Sequence, residues 1–162
     1  MHTPAQIRRH PLHPILVAIP IGLWVFSFAC DLAYLWGEGN SNWSMVAFYT
    51  MMGGVIGALI AAVPGAIDMI SLPDALKRTA ITHMAINLSV VILYLINAWM
   101  RLSGVSEVLP VCLSALSVAL LGVSGWLGGK MVYEHGVAVD DAVAPLAPET
   151  EVSRPARPSL TP

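Results

Sequence analysis

Three of the five histidines in this chain, His13, His83 and His135, stand at the ends of different apolar segments. A neutral imidazole is a common ligand of haem iron and of many other metals, so imidazoles delivered by separate segments suggest a buried cofactor site. His83 opens a longer polar series with Asn87, Tyr94 and Asn97. Spacings of four, seven and three residues put these side chains close to one face of a helix, a face that in a membrane should look inward. For Asn87 and Asn97 interhelical hydrogen bonding is the plainer role; for His83 the ligand and structural roles stay open. His13 belongs to the segment HPLHP, which also holds His10. Proline after each histidine biases that residue away from helix, and Pro14 can start a helix because the first turn needs no donor there. His135 lies in KMVYEHGV, where Gly136 permits a turn and Tyr133 suits a membrane interface, which makes it the weakest axial ligand of the three.

The elements that must position these residues are set by composition. Of 162 residues, 56% are hydrophobic and 11% charged, about half the charge of a soluble domain, so lipid is the solvent the chain is built for. Four apolar segments run over Pro14 to Trp36, Ser44 to Asp68, Ala80 to Met100 and Leu109 to Met131. Each has about 20 or more residues, enough at about 1.5 Å per residue to cross roughly 30 Å of hydrocarbon. None alternates as a barrel strand does, so an all-α bundle of four transmembrane helices is expected, with short loops and up-and-down topology. The bundle occupies about residues 8–139. From Asp140 the tail DDAVAPLAPETEVSRPARPSLTP is Pro- and Ala-rich with mixed charge, and a disordered cytoplasmic end is expected for residues 140–162.

Arg8, Arg9, Lys77, Arg78 and Lys130 lie at one side of such a bundle and Arg101 at the other. The positive-inside rule then places both termini, and the three histidines, at the cytoplasmic face of a bacterial inner membrane. The basic start followed by an apolar run imitates a secretory signal, but the run is long and has no small-residue cleavage site, so retention as a first span is expected. Cys30 and Cys112 lie in apolar stretches and read as buried free thiols.

In the second segment Gly53, Gly57, Ala61 and Gly65 recur every four residues, and the fourth has Gly122, Gly125, Gly128 and Gly129. Such stripes let helices pack closely, within one chain or between copies in a homo-oligomer, and a flat groove beside them would admit a planar macrocycle. Two carboxylates fall within segments. Asp68, on the histidine side, could orient an imidazole or pair with Lys77 or Arg78, while Asp31, at the far side, has Tyr34, Asn42 and Asn97 as candidate partners.

The segments HPLHPILVAIPIGLW, GALIAAVPGAIDM, RTAITHMAINL and GWLGGKMVYEHGVAV resemble, in order and spacing, the domain of unknown function 2231 family of bacterial membrane proteins. The resemblance covers about residues 8 to 139 and implies a four-helix membrane domain with no established activity. Relatives joined to Rieske or cytochrome c-like domains imply a redox setting. This chain has no CxxCH haem-attachment motif and no Cys and His set for an iron–sulfur cluster, so a redox role would fall to the membrane domain itself or a separate protein.

The leading functional expectation is a b-type haem protein passing electrons between haem and a quinone or redox protein. His13 and His83 would be the iron ligands, with His135 as a substitute for His13 and Asn87 beside the site. Arg8, Arg9, Arg78 and Lys130 would meet the haem propionates from the same side. A cofactor-free subunit or anchor of a membrane complex needs only the glycine stripes and interfacial histidines. A non-haem metal protein could use the same imidazoles, but the Met- or Cys-rich path of a copper carrier and the acidic cage of a hard cation are both missing. No nucleophile with a nearby base and no HExxH motif is present, which argues against an independent enzyme, and nothing points to nucleic acid.

Overall fold

A computed structural model describes residues 3–37, 40–106 and 108–139. The tail expected from residue 140 onward lies outside them. Two short strands, β1 (Gln6–Ile7) and β2 (His10–Pro11), pair antiparallel ahead of five helices: α1 (Leu12–Leu16), α2 (Ala18–Trp36), α3 (Ser41–Ile70), α4 (Asp74–Ser103) and α5 (Val108–Tyr133). The segments Leu12–Trp36, Ser41–Ile70, Asp74–Ser103 and Val108–Tyr133 are each long and apolar enough to cross a membrane. The expected four-span, all-α architecture is therefore present, with every span somewhat longer than the apolar run alone indicates. Polar first and last turns such as Asp74 to Thr79 add to each helix, because helical hydrogen bonding continues beyond the hydrocarbon-compatible stretch.

Successive spans run in opposite directions, α1 and α2 together forming the first. α2 packs mainly on α3 and α4 mainly on α5, and the seams α3 with α4 and α2 with α5 close the ring. Apolar side chains point both ways, which suits a lipid solvent: Trp24, Met51, Val55, Val90 and Tyr94 are buried, while Ile56, Leu59, Val63, Leu88, Trp99 and Trp126 face outward. Trp24 and Tyr94 stack at the centre with ring centroids 4.8 Å apart and planes at 18°, and the Trp24 indole donates to Met51 O at 3.1 Å. Gly54 makes that possible, since a Cβ on it would run into the Trp24 ring. Cys30 is buried as expected, but Cys112 is exposed on the outer surface of α5, where helix rotation rather than apolarity decides which way a thiol faces.

The hairpin before α1 was not legible as a strand pair in HPLHP. Its turn is Arg8–Arg9, both with positive φ, 49° and 68°, a conformation that two-residue hairpin turns use. The segment is anchored to α3 by a buried hydrogen bond from Ala5 N–H to Asp68 Oδ1, 2.8 Å. Asp68 thus holds a backbone amide. His13 is helical despite the following Pro14, whose missing N–H costs nothing in a first turn.

Candidate functional site

At the end of the bundle where the hairpin lies, His13 from α1 and His83 from α4 face one another, with ring centroids 6.3 Å apart and planes at 86°. His13 Nδ1 lies 2.8 Å from Ala61 O. A carbonyl only accepts, so Nδ1 carries a proton, and the neutral tautomer compatible with this contact has its lone pair on Nε2. The local sequence of α3 prepares this contact. At Gly65 a Cβ would come within 2.6 Å of His13 Nδ1. Only glycine lets the imidazole lie against the backbone there.

His83 is held in the same sense. Its Nδ1 lies 2.9 Å from both Ser124 O and Ser124 Oγ, which again assigns the proton to Nδ1. Its Nε2 is 3.1 Å from Asn87 Nδ2, whose amide also donates to His83 O at 2.9 Å. On the far side of the ring Gly128 leaves room, a Cβ there standing 3.2 Å from His83 Cε1. The pairing of first and third spans expected from the sequence is present, with Asn87 beside it. The other expected members are not drawn in: His135 is exposed past the end of α5, Arg78 is exposed on α4, and Lys130 sits 3.7 Å from Glu134. Among the described residues no group of three or more His, Cys, Asp or Glu is placed to hold a metal ion.

The glycine stripe on α3 serves the close packing expected of it. Gly53 packs against Leu23, Gly57 against Ile19 and Pro20, and Gly65 and Gly128 against the two imidazoles. The stripe on α3 is filled by the chain's own helices and His13.

A second polar centre lies at the opposite end. Arg101 Nη2 donates to Asp31 Oδ1 at 2.7 Å and Oδ2 at 2.8 Å, with the two side chains 12% and 1% exposed. Arg101 Nε donates to Asn97 Oδ1 at 2.7 Å, Asn97 Nδ2 to Pro110 O at 2.7 Å and to Ser114 Oγ at 3.0 Å, and Ser114 Oγ to Asp31 Oδ2 at 2.8 Å. The network ties α2, α4 and α5 together. A cleft of about 290 Å³ lined by Asp31, Tyr34, Ser44, Arg101, Ser106 and Pro110 opens beside it. In the sequence Arg101 stands just past the third apolar segment and Tyr34, Asn42 and Asn97 are the candidate partners of Asp31, whereas in the structure Asp31 is held by Arg101 and Ser114. The usable signal was that Arg101 follows Asn97 by four residues, which continues the polar face of His83, Asn87 and Tyr94.

With both centres described, comparison with known proteins adds one match. The family described as Predicted membrane protein (DUF2231) matches residues 9–141. The chain belongs to the DUF2231 family. The match covers the second hairpin strand and all four spans of this DUF2231 protein, including both polar centres. No curated protein and no solved structure matches it.

Proposed function

We propose that this integral membrane protein is a redox subunit whose His13–His83 pair ligates the iron of a b-type haem. The observation that supports this reading is the pairing itself: two imidazoles from different spans, each fixed through Nδ1 by a backbone carbonyl. That is the tautomer a metal ligand needs, with Nε2 as the donor and the second nitrogen oriented by the protein. A bare ion such as zinc takes about four protein ligands, whereas haem iron needs only two axial ones, so a two-imidazole site favours haem over a non-haem metal. Haem would supply one-electron chemistry, and the chain's contribution is to present two neutral imidazoles in an apolar setting. Electron donors and acceptors of this reading are a membrane quinone or a redox protein, and both termini lie in the cytoplasm of a cell whose inner membrane holds the bundle.

One observation favours a second reading, a cofactor-free subunit or anchor. The Asn87 amide occupies His83 Nε2, so both nitrogens of that ring already have partners, and the α3 glycines are filled by packing. Iron ligation requires the Asn87 amide to turn away.

Reduced-minus-oxidised spectra and metal analysis of the detergent-purified chain from haem-replete cells separate the readings. Haem ligation predicts a Soret shift and an alpha band that His13→Ala and His83→Ala each abolish and His135→Ala leaves in place. A well-folded, colourless and metal-free preparation would establish the anchor reading instead.

A further inference from the structure

The seam between α4 and α5 keeps one antiparallel register along most of its length. Asn97 meets Ser114 near one end and His83 meets Gly128 near the other, and the two contacts lie equally far apart along both helices. Pairs between them follow by counting one turn at a time toward the histidines: Tyr94 with Ser117, Val90 with Leu121, and Asn87 with Ser124. The Asn97–Ser114 pair is hydrogen-bonded into the Asp31–Arg101 network, and Asn87 and Ser124 both bond His83. Val90 and Leu121 belong to the apolar centre.

Tyr94 and Ser117 fit neither pattern. Both residues are 0% exposed, yet Tyr94 Oη and Ser117 Oγ have no hydrogen-bond partner. A buried hydroxyl left unbonded is costly and uncommon, and two on facing turns of adjoining helices together mark a polar site. Water is the ligand that two hydroxyls take, given two to four polar partners. Ser114 Oγ, one turn nearer the ion pair, spends its proton on Asp31 and one lone pair on Asn97, which leaves a second lone pair as a third partner.

We propose that Tyr94 and Ser117 bind an internal water, which carries the Asp31–Arg101 hydrogen-bond network one turn deeper into the membrane. Bulk water reaches the ion pair through the cleft lined by Asp31, Tyr34, Ser44 and Arg101, so a supply exists at the outer end of the network. With this water in place, the polar interior of the α4–α5 seam is interrupted only at Val90 and Leu121. The proposal is independent of any cofactor at the histidines.

The test uses the sign of a stability change. Tyr94→Phe keeps the stack on Trp24 and removes one hydroxyl; Ser117→Ala removes the other. If the site holds water, each variant lowers the thermal midpoint of the purified chain by a few degrees, and the double variant falls by less than the sum because both residues share one ligand. If the site is dry, deleting an unbonded hydroxyl raises the midpoint or leaves it unchanged. Either of those results in either variant, or strict additivity in the double variant, overturns the proposal. Ser89→Ala, at an exposed hydroxyl bonded only within its own helix, is the control for a general effect of serine removal.

Discussion

At the residue scale, the two polar centres differ in how firmly their charges are committed. Asp31 is 1% exposed and paired with Arg101, so Arg101→Met leaves a buried carboxylate without its cation. Loss of one partner of a buried pair costs about 3–5 kcal/mol. The expected outcome is a large fall in the thermal midpoint in detergent, with much of it regained in Asp31→Leu/Arg101→Met, where neither charge remains; a double variant as unstable as the single would show that the ion pair is not what the position supports. Asn87 presents the opposite case. Its amide touches only its own helix's His83, at Nε2 and the backbone O, so Asn87→Leu should cost about 1 kcal/mol or less, in the range of interhelical and local polar contacts in membranes. Under haem ligation the same variant keeps the alpha band, because the competing donor has gone; loss of the band would place Asn87 among the groups that build the site.

Elements meet where small residues let them, and α3 is the clearest instance. Its glycines receive Trp24, the start of α2 and the His13 ring in turn, which fixes how closely the first and second spans approach. Gly65→Leu would drive a side chain into the imidazole and separate His13 from Ala61. Overpacking of this kind typically costs about 1–3 kcal/mol, and the midpoint should fall accordingly. Gly122→Leu, on α5 where a Cβ meets nothing within 4 Å, should leave the midpoint within a degree or so. Equal effects at the two glycines would mean that the stripe acts through helix propensity rather than contact. The hairpin is a further element with a definite attachment: the carboxylate of Asp68 holds Ala5, and with it the chain leading into His13.

For the whole molecule, the ring of four antiparallel spans sets both polar centres at opposite ends of one interior. Among the described residues Lys and Arg cluster at the histidine end, and Arg101 at the other end is paired internally with Asp31, which sharpens the charge asymmetry between the faces. Reporter fusions after Leu72 and after Gly104 should therefore fall on opposite sides of the membrane, the first in the cytoplasm. Fusions on the same side would overturn the four-span topology, and the reverse pattern would overturn the orientation alone.

The sequence by itself determined the solvent, the number of spans and their order, because apolar run length is a one-dimensional property that the thickness of a bilayer reads directly. It also marked His13, His83 and Asn87, since polar residues in such runs are conspicuous. Contacts between runs were another matter. Whether a residue faces lipid, a neighbouring helix or a partner depends on helix rotation and register, which hydropathy leaves undetermined when both faces of a helix are apolar. That is why Cys112 points outward, why Asp68 holds the Ala5 backbone amide, and why Arg101 reaches back to Asp31 across 70 residues of sequence. Only the tertiary structure brought His13 to His83 and left the Tyr94 and Ser117 hydroxyls buried without partners, because distance across a bundle is decided by packing.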